Sequence, residues 1–77
     1  MSIQELFNSV HIYQESDIEA LSNLAGVAVK YDLTRDGAVY YIELPKGIKV
    51  SPEQKDIIKR ILRDNFDVVS IKYVLKS

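Results

Sequence analysis

Seventy-seven residues, 47% of them hydrophobic, with a net charge of −1, fit one small domain with apolar matter for a core and little general attraction for polyanions. Cysteine is absent, which excludes disulfides, thiolate metal sites and a cysteine nucleophile. A small domain without such staples suits a reducing, cytoplasmic setting. No run approaches the ~20 apolar residues of a membrane span, and the N-terminus lacks the basic and apolar segments of a signal peptide. The apolar fraction slightly exceeds what one small core hides, which favours a homodimer.

Charge is divided unevenly. Residues 1–44 hold seven acids against Lys30 and Arg35, whereas residues 45–77 hold eight bases against Glu53, Asp56, Asp64 and Asp67. Such asymmetry marks either a nucleic-acid face or complementary faces that meet in an assembly.

Residues 2–25 read as two helical pieces. Ile3, Leu6, Phe7, Val10 and Tyr13 fall at helix-compatible spacings, with Ser2 as cap and Glu5 three residues on. The competing reading makes Val10 to Tyr13 a short edge strand. Ser16 is the expected cap of the second piece. Asp17 and Glu19 lie in its first turn, Ile18, Leu21, Leu24 and Ala25 form its apolar face, and Gly26 stops it.

Val27–Leu33 alternates, as does Ala38–Leu44, and Asp36-Gly37 lies between them, a strong hairpin signal. A two-residue Asp36-Gly37 turn sets Leu33 opposite Tyr40, Tyr31 opposite Ile42 and Val29 opposite Leu44. On the other face it pairs Lys30 with Glu43. Pro45 and Gly47 shape a short loop.

Ser51 begins the clearest element, a helix over 51–66. Its hydroxyl caps the first turn, Pro52 occupies the first helical position and Gln54 completes a capping box. Ile57, Ile58, Ile61 and Leu62 make the buried stripe, and Lys55, Lys59 and Arg63 line the opposite side. Asp67–Leu75 is a third strand, with Val69, Ile71, Tyr73 and Leu75 inward and Val68, Ser70, Lys72 and Val74 outward.

The expected fold is therefore a single α+β domain over 1–77, ordered α(α)-β-β-α-β. Its sheet is mainly antiparallel with the third strand beside the first, order 2-1-3. The parallel alternative places the third strand beside the second through a right-handed crossover. Helix 51–66 is expected on the face of Val29, Tyr31, Tyr40, Ile42, Val69, Ile71 and Tyr73, and the N-terminal helices on the other face or at one end.

Catalytic signals are missing. His11 stands without a second ligand at metal spacing, and Glu15, Asp17 and Glu19 lack the spacing of a calcium loop and fit a helix-capping, solvated role. No serine lies in a nucleophile elbow, and the three glycines form no phosphate-binding loop. The sequence thus points to no enzyme, cofactor, metal or small-molecule substrate.

Two surfaces remain. Ala28, Val39, Tyr41, Val68 and Val74 make the outer sheet face too apolar to be fully wetted; the N-terminal helices, a second subunit or a partner protein can cover it. Tyr41 with Lys30 and Lys72 can instead stack single-stranded nucleic acid. The expected function is a non-catalytic, regulatory protein-interaction module, adaptor- or inhibitor-like, that binds a protein partner or self-associates through Val39, Tyr41, Val68 and Val74. The basic residues Lys46, Lys49, Lys55, Lys59 and Arg63 are its candidate contact for an acidic partner. The alternative is a nucleic-acid-binding module using Lys46, Lys49, Lys55, Lys59 and Arg63.

Overall fold

Ser51 starts the longest helix as its cap chemistry requires. In the computed structural model, which describes residues 1–11 and 13–76, Ser51 Oγ accepts from the Gln54 backbone N–H at 3.1 Å. The Ser51 N–H donates to Gln54 Oε1 at the same distance. With Pro52 in the first turn, the helix runs Pro52–Asn65 and stops where Phe66 turns extended.

Numbered in chain order, the elements are α1 (Ile3–Asn8), α2 (Glu15–Ala20), β1 (Ala28–Thr34), β2 (Gly37–Leu44), α3 (Pro52–Asn65) and β3 (Val68–Leu75), with a 3-10 turn at Ser22–Leu24 after α2. Ser2 caps α1 as expected, accepting from the Glu5 N–H at 3.2 Å. The second helix begins two residues earlier than expected. Gln14, not Ser16, is its cap, and Asp17 reaches back to accept from the Gln14 N–H at 3.2 Å. Val10, His11 and Tyr13 belong to neither a helix nor a strand, and Ile12, on which part of both readings of that segment falls, lies outside the described residues.

The chain forms an α+β architecture with a mixed three-stranded sheet, but the strand order differs from the expected 2-1-3. β2 is central, antiparallel to β1 and parallel to β3, giving the order 1-2-3. The edge of β1 that β3 would have needed is partly taken. Ile3 N donates to Val27 O at 2.9 Å, Val29 N to Met1 O at 2.6 Å and Met1 N to Val29 O at 3.1 Å, so residues 1–3 run along the start of β1. β3 then pairs on the free side of β2, with α3 as the crossover.

The hairpin also closes differently. Thr34 pairs with Gly37 and Val29 with Ile42, so Arg35 and Asp36 form the loop and the register moves by two residues. A shift of two keeps every side chain on its expected face. Only glycines in the described chain have positive φ, Gly37 at +142° among them. Gly37 serves the strand start rather than the turn itself, because the Asp67 carbonyl sits against it and accepts from the neighbouring Ala38 N–H at 2.8 Å.

A bulge separates Val68 from Val69 on β3, since Ala38 pairs with Val68 but Val39 already pairs with Ser70. One extra residue reverses the side-chain alternation at that point. Val68, expected outside, packs against the core; Val69, expected inside, is 50% exposed. Beyond the bulge Ile71 and Tyr73 face the core as expected.

The helices share one side of the sheet. Ile3, Leu6 and Phe7 of α1 enclose the same small void as Val29 and Ile42 of the sheet and Ile58, Ile61 and Leu62 of α3. The core joins these residues to Leu21, Leu24, Val27, Tyr40 and Leu44. The expectation that the N-terminal helices cover the far face or an end of the sheet is therefore corrected for α1, whose apolar face needs the same core as α3. The far end of the hairpin extends past this cover: Tyr31 and Leu33 lie on the core-side face, yet Leu33 is 79% exposed.

Candidate interaction surfaces

The outer sheet face is built by alternate residues of all three strands. Pairing sets Lys30 beside Tyr41, Tyr41 beside Lys72, Asp32 beside Val39 and Glu43 beside Val74. Val39, Tyr41, Glu43 and Ser70 are half-buried by their neighbours, and Val74 is exposed. The expected ion pair survives the shifted register as a diagonal contact, Lys30 Nζ to Glu43 Oε1 at 3.5 Å, because residues two apart on the facing strand remain within reach of long side chains. Lys72 Nζ stands 5.9 Å from the centroid of the Tyr41 ring. Of the four residues expected to form an interface, Val39, Tyr41 and Val74 share this face and Val68 does not. As a stacking platform the face is compromised, because Asp32 and Glu43 lie on it and repel phosphates.

The basic stripe of α3 occupies a different place. Lys55, Lys59 and Arg63 overlook a groove of about 390 Å³ whose other wall is β3, with Val69, Ile71 and Tyr73 among its lining. Lys55 Nζ lies 4.9 Å from the centroid of the Tyr73 ring. Burial first, and the Asp56 carboxylate second, push the Tyr73 hydroxyl up to about 12. Among the described residues, neither Lys59 nor Arg63 has an ion-pair partner. Lys46 and Lys49 are exposed on the 45–51 loop and do not line this groove, so the five cations expected to act together divide into three and two.

Both strand orders read from the sequence put β3 at an edge; what sequence reasoning missed is that β3 and the α3 cations line one groove, a packing for which no local signal exists.

The acidic cluster also divides. Glu15 and Glu19 are exposed, whereas Asp17 is only 5% exposed and its Oδ1 accepts from the Arg60 guanidinium. Asp17 therefore ties α2 to α3 and does not fit the solvated role expected of it. His11 is exposed, and its backbone N–H donates to Asn65 Oδ1 at 3.0 Å. Among the described residues no three His, Asp or Glu side chains are grouped to hold a metal ion, and no helix is long and apolar enough to cross a membrane. Comparison with known proteins finds no matching family model, no similar curated protein and no similar solved structure.

Proposed function

We propose that this protein is a non-catalytic interaction module of the cytoplasm, regulatory in the manner of an adaptor or inhibitor, that self-associates through the outer face of its sheet. The observation that carries the reading is the one-sided packing of α1 and α3, with Val39, Tyr41 and Val74 on the opposite face. Apolar side chains in the middle of a sheet favour packing against a second sheet about 10 Å away. The charges on this face support a symmetric pairing, since Lys30 and Lys72 share it with Asp32 and Glu43 and a two-fold interface must be self-complementary.

Light scattering at high micromolar concentration is expected to give about twice the 8.8 kDa chain mass, and Tyr41→Glu is expected to return the monomer by burying an unpaired charge in the interface. A wild-type monomer at that concentration removes the dimer from the proposal.

A further inference from the structure

The groove between α3 and β3 combines two features that neither element has alone: a row of cations and an unpaired strand edge. Lys76 N donates to Leu44 O at 2.8 Å, and ladder bonds of a parallel pair fall on every second residue of a strand. Ile71, Tyr73 and Leu75 therefore turn their backbone N–H and C=O groups away from β2. Among the described residues no backbone hydrogen bond reaches them from that side.

Lys55, Lys59 and Arg63 are four residues apart in turn, so they climb α3 in steps of about 6 Å. Alternate residues of an extended chain repeat every 6.4–6.8 Å or so. Because α3 carries the chain back from the end of β2 to the start of β3, its axis follows the strands. The three cations thus keep step with every second side chain of a strand laid beside β3.

We propose that β3 receives an extended acidic peptide as an added strand, with carboxylates at alternate positions facing Lys55, Lys59 and Arg63. The intervening side chains would emerge on the outer face beside Ser70, Lys72 and Val74, where an apolar residue can pack on Val74 and on the Lys72 stem. Main-chain bonds to Ile71, Tyr73 and Leu75 supply affinity, and the cation row selects the sequence. Asp56 shares the groove near Lys55 and Tyr73, so three cations outweigh one acid there.

A second copy of this chain is a poor occupant. Pairing β3 with β3 would bring two α3 helices side by side, each presenting Lys55, Lys59 and Arg63 to the other. Nucleic acid is also less suited, since it leaves the strand edge unpaired.

The inference deepens the interaction-module reading but not the dimer, and the two fail separately. A fluorescent peptide alternating Glu and Val over seven residues should bind both the wild type and Tyr41→Glu. Its block isomer, with the glutamates consecutive, should bind roughly tenfold more weakly or worse. Lys59→Glu should weaken the alternating peptide by roughly tenfold, with an unchanged circular dichroism spectrum. Amide exchange at Ile71, Tyr73 and Leu75 should slow in the complex.

Equal binding of the two isomers, or unchanged exchange in β3, overturns strand addition. No binding at millimolar peptide overturns the proposal entirely. Tighter binding of a single-stranded oligonucleotide that is steeply lost with salt and with Lys59→Glu transfers the groove to nucleic acid. Peptide binding by a strictly monomeric wild type upholds this proposal while removing the dimer.

Discussion

A side chain at Gly37 would have no room. Its φ of +142° is costly for any L residue, and a Cβ there would stand 2.7 Å from the Asp67 carbonyl oxygen, a backbone atom that cannot swing aside. Gly37→Ala is therefore expected to destabilise the fold by on the order of 1–3 kcal/mol, read as a lower urea midpoint. An unchanged midpoint would show that the hairpin can move away from β3 at no cost.

Tyr73 gives the fold a pH signature. Burial and the Asp56 carboxylate keep its phenol neutral in the fold up to about 12, while the unfolded chain releases that proton near pH ~10. The contribution is intact below pH ~10 and is lost as pH rises toward 12. Tyr40, raised by burial and then by Tyr31, adds to the same loss. Comparing urea midpoints at about pH 9 and about pH 11.5, Tyr73→Phe should fall less than the wild type. An equal fall would mean that Tyr73 titrates alike in both states.

Among the elements, α3 and the hairpin were legible because their signals are local: a capping box closes within three residues, and strand parity is written in alternation. What each element reaches for was not. Gln54 Nε2, beyond its part in the capping box, donates to Ala20 O at 3.0 Å and Asn23 Oδ1 at 2.8 Å, fastening the start of α3 to the turn after α2. Asp17 accepts from Arg60, 43 positions away, so nothing nearby distinguished it from its solvated neighbours. Asp17→Ala removes both that contact and the bond to the Gln14 N–H. A loss of about 1–3 kcal/mol follows, with Asp17→Asn milder because it keeps an acceptor; a chemical denaturation series in which Asp17→Ala matches the wild type would contradict the tie. The β3 bulge was illegible too. Val68 and Val69 are chemically identical, and only the pairing with Ala38 and Val39 decides which one faces the core.

For the whole molecule, the α+β class followed from element order, while the sheet order did not. Both edges of the hairpin could accept a strand on pattern alone, and the choice is linked to residues 1–3, whose backbone bonds to Val27 and Val29 carry no side-chain signal. The cation stripe was likewise visible as a periodicity, but the groove it shares with β3 was not, because that follows from how α3 packs against the strand. The self-association surface and the groove meet only along β3, so Tyr41→Glu and Lys59→Glu should separate two activities rather than abolish one.

That shared strand has a bearing on solubility. From Val68 to Leu75 it reads Val-Val-Ser-Ile-Lys-Tyr-Val-Leu, a run of high β-propensity without proline, the composition from which cross-β fibrils nucleate. Lys72 is its only charge, and the kink at Val69 is its only departure from a straight template. These are the devices that keep exposed edges from templating one another. The fold thus displays on its surface a strand of amyloid-compatible composition, guarded by Lys72, by one irregularity in the ladder and by the cation row of α3 beside it.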